Sequence, residues 1–138
     1  MRGDEDGEDQ EISGDRFFLL LLALVGLAEL ASPSELRVPQ DYGTIGEAIA
    51  AAGPGDVILI APGLYRENLT IGKREIAIQG DSAETVIIEA RYADAPVILV
   101  RERDVRLSGL TLRGGARGVQ IDPRADGSVL TNLVITGN

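Results

Sequence analysis

Writing VRLSGLTLRGG (residues 105–115) above SVLTNLVITGN (128–138) aligns two segments at an offset of 23 residues. Leu107 falls on Leu130, Leu110 on Leu133, Leu112 on Ile135 and Gly114 on Gly137, so matched apolar positions stay apolar. A chain that repeats its apolar pattern at this spacing, with no helix between, makes a full circuit and returns one strand further along an axis. In such a solenoid Leu107, Leu110 and Leu112 point inward and stack on Leu130, Leu133 and Ile135, while Ser108, Thr111 and Arg113 face water. Gly109 and Asn132 share one bend, where both residue types relax the backbone.

Working outward, the same texture extends back to residue 56. DVILIA (56–61), ENLTI (67–71), EIAIQG (75–80), TVIIEA (85–90), PVILV (96–100) and GVQI (118–121) join the two repeated segments as brief runs of strand-forming residues. Eight such strands also fit an antiparallel sandwich, and the internal repeat decides against it. The earlier coils are less regular: EIAIQG follows DVILIA by 19 residues, and ARYADA (90–95) reads as an insertion. One helix precedes them. Thr44 and Glu47 have capping-box spacing, Ile45, Ala48, Ile49 and Ala52 follow at i, i+3, i+4 and i+7, and Gly53-Pro54-Gly55 ends the run. Its expected role is to cover the first coil, whose edge would otherwise be bare.

Composition supports a narrow aliphatic interior, because 44% of the 138 residues are hydrophobic but only 4% are aromatic. Cys and His are both absent, which excludes disulfide frameworks, Cys/His zinc sites and His-based triads. Acid–base chemistry would fall to Asp, Glu, Tyr, Arg or the single Lys73. A formal net charge of -9 argues against nucleic acid as a partner. Much of that charge sits in residues 1–16, an acidic leader too polar to bury a core and expected to be disordered. Residues 17–31 open with the unbroken apolar run FFLLLLALVGLA, too short to span a bilayer and of the length of a signal-peptide core, although the acidic leader is atypical. The alternative, a buried helix of the domain, is disfavoured because the run lacks any polar face.

The order of features in VPQDYGTIGEAIAAAGPGDVILIAPGLYRENLTIGKREIAIQGDSAETVI (38–87) resembles the opening of right-handed parallel β-helix proteins of the pectin-lyase-like superfamily. A strand leads to Tyr-x-Thr-Ile, a capping helix ending in Gly, an apolar strand after Gly-Asp, and Pro-Gly-x-Tyr-x-Glu before further coils. The resemblance covers residues 36–138 and implies an all-β, right-handed parallel β-helix with a short N-terminal capping α-helix. Gly63-Leu64-Tyr65-Arg66-Glu67 with Ile71 also looks like part of the first pectin methylesterase signature. Leu59 and Ala61 depart from it, and the later Gln- and Asp-bearing catalytic segments have no counterpart before Asn138, so no catalytic residue is carried over.

Arg101, Arg103, Arg106, Arg113, Arg117 and Arg124 fall within 24 residues, and guanidinium forks pair well with the carboxylates of an acidic polysaccharide. The first five are the candidate ligand-binding residues. The competing reading is a solvated surface on which Glu102, Asp104, Asp122 and Asp126 balance the arginines, favoured by the small value of exposed pairs. Tyr65 and Glu67 are placed in a turn between strands, where a structural corner outweighs a general acid; Asp56 reads the same way. Gly114-Gly115-Ala116-Arg117-Gly118 is a turn, since it lacks the lysine spacing of a phosphate loop. Asp81, Glu84, Glu89 and Asp94 bracket the insertion around Tyr92 and are the candidate calcium ligands, without a recognisable loop spacing.

These readings predict an exported β-helix domain over residues 36–138, incomplete at its C-terminal end. Its expected role is a non-catalytic scaffold or carbohydrate-contacting segment outside the cytoplasm, with no turnover by the 138-residue chain itself. The alternative is the N-terminal part of a polyuronate-active lyase, methylesterase or epimerase whose catalytic coils lie beyond residue 138. Acidic polysaccharide is one expected partner; further coils of a longer chain, or an edge-pairing protomer, would meet the C-terminal end. No cofactor is expected, calcium being the one candidate weighed against that reading.

Overall fold

The computed structural model describes residues 33–138, a single compact unit; the leader and signal-like segment lie outside the described residues. Ten strands and one helix follow in the order β1 (Glu35–Val38), α1 (Ile45–Ala51), β2 (Val57–Ile60), β3 (Gly63–Arg66), β4 (Leu69–Ile71), β5 (Ala77–Gly80), β6 (Val86–Glu89), β7 (Ile98–Val100), β8 (Arg106–Arg113), β9 (Val119–Ile121) and β10 (Val129–Thr136). Every strand pairing is parallel. Leu107 pairs with Leu130, Leu110 with Leu133 and Leu112 with Ile135, the register set by the 23-residue repeat.

Each coil presents three faces. The first carries β1, β2, β5 and the start of β8 and β10; the second carries β3, β6 and the end of β8 and β10; the third carries β4, β7 and β9. Period-2 alternation sends one residue in two inward, and these form columns along the axis. Leu36, Ile58, Ile78, Leu107 and Leu130 make one column, and Leu69, Ile98 and Val119 another. All the fully buried side chains are aliphatic, and no polar or charged residue among those described is buried.

The corners explain why short turns suffice. Registers place Gly55, Glu75, Asp104 and Gly127 in one column two residues before the first face, and all four have positive φ, at 91°, 59°, 58° and 73°. A left-handed residue reverses the chain within one step, which Gly does without steric cost and Glu or Asp does against it. Gly109 (φ 69°) and Asn132 (φ 49°) bend β8 and β10 in mid-strand, letting one continuous strand serve the first two faces. A Cβ on Gly80 would overlap the Gly109 carbonyl, so the glycine on the preceding coil is also required there.

Two sequence expectations are corrected. Gly63–Arg66 is a strand, so Tyr65 lies within β3 and not in a turn; its ring packs partly inward in register with Ile88. The offset between β2 and β5 is 20 residues, Ile58 pairing with Ile78, and not 19. Glu75 is the corner residue matching Gly55 and not the first strand position, and a pairing slipped by one would turn the apolar set outward. The insertion is accommodated as a loop between β6 and β7.

Candidate ligand-contacting surface

Carboxylates placed at corners are committed to holding the fold. Thr44 caps α1, its hydroxyl accepting from the Glu47 N–H at 3.1 Å, while Glu47 accepts from the Gly43 N–H at 3.1 Å. Glu67, just after β3, accepts from the N–H groups of Ile45 (2.8 Å) and Gly46 (2.9 Å), supplying charge-assisted partners to the first turn of the helix. At the other end the Lys73 ammonium donates to the carbonyls of Ala50 (2.8 Å) and Ala52 (2.9 Å). The first coil thus grips both ends of the helix, whose Ile45, Ala48 and Ile49 are buried. Asp56 accepts from the N–H groups of Ser34 (2.9 Å) and Gly53 (2.8 Å). Tyr65 donates its hydroxyl to the Ala61 carbonyl at 2.6 Å, and burial, reinforced by the charge of Glu67, pushes its phenol above the ordinary value.

The six arginines do not converge on one surface. Arg101 follows β7 and shares a depression of about 450 Å³ with Arg124, Thr70, Gly72 and Glu102. Arg103 pairs with Glu75 (3.4 Å) and Asp104 (2.6 Å). Arg106 opens β8 and lines a separate hollow with Asp56, Glu75 and Asp104. Arg113 closes β8 and pairs with Glu89 at 3.1 Å, and Arg117 is exposed before β9. Arg124 pairs with Asp122 at 3.3 Å; the Arg124 N–H and guanidinium hold that carboxyl below its ordinary range.

The remaining candidates are mostly occupied. In the glycine-rich turn the N–H groups of Gly114, Gly115 and Ala116 donate to the Gly137 carbonyl, the Asn138 side chain and the Ala95 carbonyl, leaving none of the three for a phosphate. Glu89 stands between Arg66 (3.2 Å) and Arg113 (3.1 Å) on the outside of the second face. Among the described residues no three acidic side chains gather closely enough to hold a metal ion.

A surface that the sequence reading missed lies between β3 and the insertion. Leu64, Arg66, Asn68, Arg91 and Tyr92 line an open depression of about 640 Å³, together with Glu67 and the Gly43-Thr44 segment. Tyr92 is 61% exposed and Leu64 48%. The available signal was an Arg-Tyr pair inside an insertion of a chain with only 4% aromatic residues.

Solved structures share this coil geometry. A pectin methylesterase in complex with a hexasaccharide superposes at a TM-score of 0.61 with 19% identity, over 76% of this chain and 45% of that one. The fold is a parallel β-helix, as in these methylesterases. Pectin methylesterase PemA from Erwinia chrysanthemi matches this β-helix at a TM-score of 0.57 with 19% identity, over 78% of the chain and 46% of that enzyme. By sequence, the chain is 28% identical over 127 residues to a cell surface glycoprotein of Methanothermus fervidus, across 87% of this chain and 21% of the glycoprotein. No family model matches. The chain thus spans about a fifth of this glycoprotein and under half of these methylesterases.

Proposed function

We propose that this chain is an extracytoplasmic β-helix segment that serves as a scaffold with a carbohydrate-contacting surface and carries out no chemistry of its own. The observation that carries this reading is the employment of its corner carboxylates. Glu67, Asp56, Glu47 and Glu89 are each bound to backbone N–H groups or arginines, so none is presented as a general acid or base. The cell surface relative supports the location. Purified chain incubated with pectin and with alginate is expected to release neither methanol nor unsaturated or shortened products. Release of any of these above a heat-treated control would overturn the proposal.

A second reading is favoured by one observation, the match to pectin methylesterases of about twice the matched length. On that reading the segment is the opening of a polyuronate-active enzyme whose reacting groups lie on coils outside it. Turnover of pectin by a longer chain containing residues 36–138, together with inactivity of this chain, would select it.

A further inference from the structure

We propose that the depression between β3 and the insertion at residues 90–95 is a binding site for a uronate unit of an acidic oligosaccharide. Arg91 and Arg66 take the carboxylate, and the Tyr92 ring covers one face of the sugar. The proposal rests on the carbohydrate-contacting reading above and assigns that contact to residues outside the arginine-rich stretch.

Three observations meet here. The first is rigidity of presentation. Asn68 Oδ1 accepts from the backbone N–H groups of Arg91 (2.9 Å) and Tyr92 (2.8 Å), while its Nδ2 donates to the carbonyls of Tyr92 (3.1 Å) and Pro96 (2.9 Å). One side chain from the coil below therefore fixes the loop at both ends, so little ordering entropy is lost when a ligand engages it. The second is an unshielded ring. Tyr92 is the most exposed large apolar side chain among the described residues, at 61%, whereas Tyr42 and Tyr65 pack against the core. An aromatic face accepts the flat C–H surface of a pyranose ring while water is excluded.

The third is the charge balance of the lining. Both oxygens of Glu67 are occupied by the Ile45 and Gly46 N–H groups, and Glu89 is shared between Arg66 and Arg113. Arg91 makes no ion pair with the described residues, and Arg66, with its side chain 68% exposed, commits only Nε. Arg91 and the remaining nitrogens of Arg66 thus line a volume of about 640 Å³, within the roughly 300–1,000 Å³ of small-ligand clefts. A planar fork suits a carboxylate, and Leu64 adds apolar surface beside it. An overall charge of -9 opposes diffuse attraction of polyanions, so binding has to be local.

The test is titration of the 15N-labelled chain with hexagalacturonate at low ionic strength. Amide shifts are expected at Leu64, Arg91 and Tyr92. Arg91→Gln and Tyr92→Ala should each weaken binding at least about tenfold, whereas Arg117→Gln binds like the parent. Both side chains are exposed and the loop is held through backbone groups, so thermal melts of the two variants should match the parent. A neutral galactose oligomer of equal length should bind at least about tenfold more weakly. Binding with shifts confined to residues 101–124, or unaffected by Arg91→Gln and Tyr92→Ala, would overturn this site and leave the broader carbohydrate reading standing. Equal binding of the neutral oligomer would overturn the role of the arginines. Absence of any binding would overturn both.

Discussion

The first and last described rungs of the β-helix stand in different surroundings. At the N-terminal end the first coil is covered by α1, with Ile45, Ala48 and Ile49 buried, Glu67 on the helix start and Lys73 on its last carbonyls. At the C-terminal end β10 pairs with β8 on one side only, and Leu130, Val134 and Ile135 stay exposed. The inward columns run through both ends with the same residue types. What differs is the neighbour: an inner rung has one on each side, whereas β10 has β8 alone among the described residues.

One column offers the sharpest contrast, because Ile78 and Leu130 occupy equivalent inward positions two coils apart. Ile78 is wholly buried between Ile58 and Leu107, so Ile78→Ala leaves a cavity among fixed neighbours and should cost about 2–5 kcal/mol. Leu130, 37% exposed and backed only by Leu107, should lose less than about 1 kcal/mol on conversion to Ala. Urea unfolding of the two variants measures the difference. Equal losses would mean that β10 is covered in solution and that the ends are alike.

Removing a clamp should have a smaller effect, confined to the covered end. Glu67→Ala strands the N–H groups of Ile45 and Gly46, one of them part-buried, and is expected to cost about 1–2 kcal/mol. Hydrogen exchange should then accelerate across residues 45–51 while the β8–β10 ladder keeps its protection. Acceleration spread evenly over all coils would show that the cap governs the whole stack and not one end.

Several of these features were legible in the sequence for a physical reason. A column of inward residues imposes the same apolar positions on successive coils, so the 23-residue repeat survives wherever two coils have equal length. The helix was legible because capping chemistry is local, with Thr44 and Glu47 three residues apart. Reading failed where local signals mislead. Pro62-Gly63 mimics a loop and hid β3, whose outward residues include Leu64 and whose inward one is the half-polar Tyr65. Glu75 carries no turn signature although it turns the chain, which produced the one-residue slip. The arginine cluster was a linear impression: six arginines within 24 residues span about one coil, so a closed circuit distributes them round its perimeter. Conversely Arg66 and Arg91, 25 positions apart, line one depression because they lie on successive coils.

The corner column that runs from end to end gives the finest test. Gly stands at its two termini, Gly55 and Gly127, while Glu75 and Asp104 hold the same left-handed turn in the middle, bridged by Arg103 at 3.4 and 2.6 Å. A side chain at positive φ costs about 1–2 kcal/mol, and exposed ion pairs return less than that. Glu75→Gly should therefore raise stability by about 0.5–1 kcal/mol even though Arg103 loses one partner and the unfolded chain gains freedom. Gly55→Ala, at φ 91° in the same column, should lower it by a similar amount. Denaturant midpoints moving in opposite directions would show that one backbone requirement governs the corner from the capped end inward. A loss on Glu75→Gly would mean that the Arg103 bridge outweighs the strain, and that interior corners are held by charge where terminal ones are held by glycine.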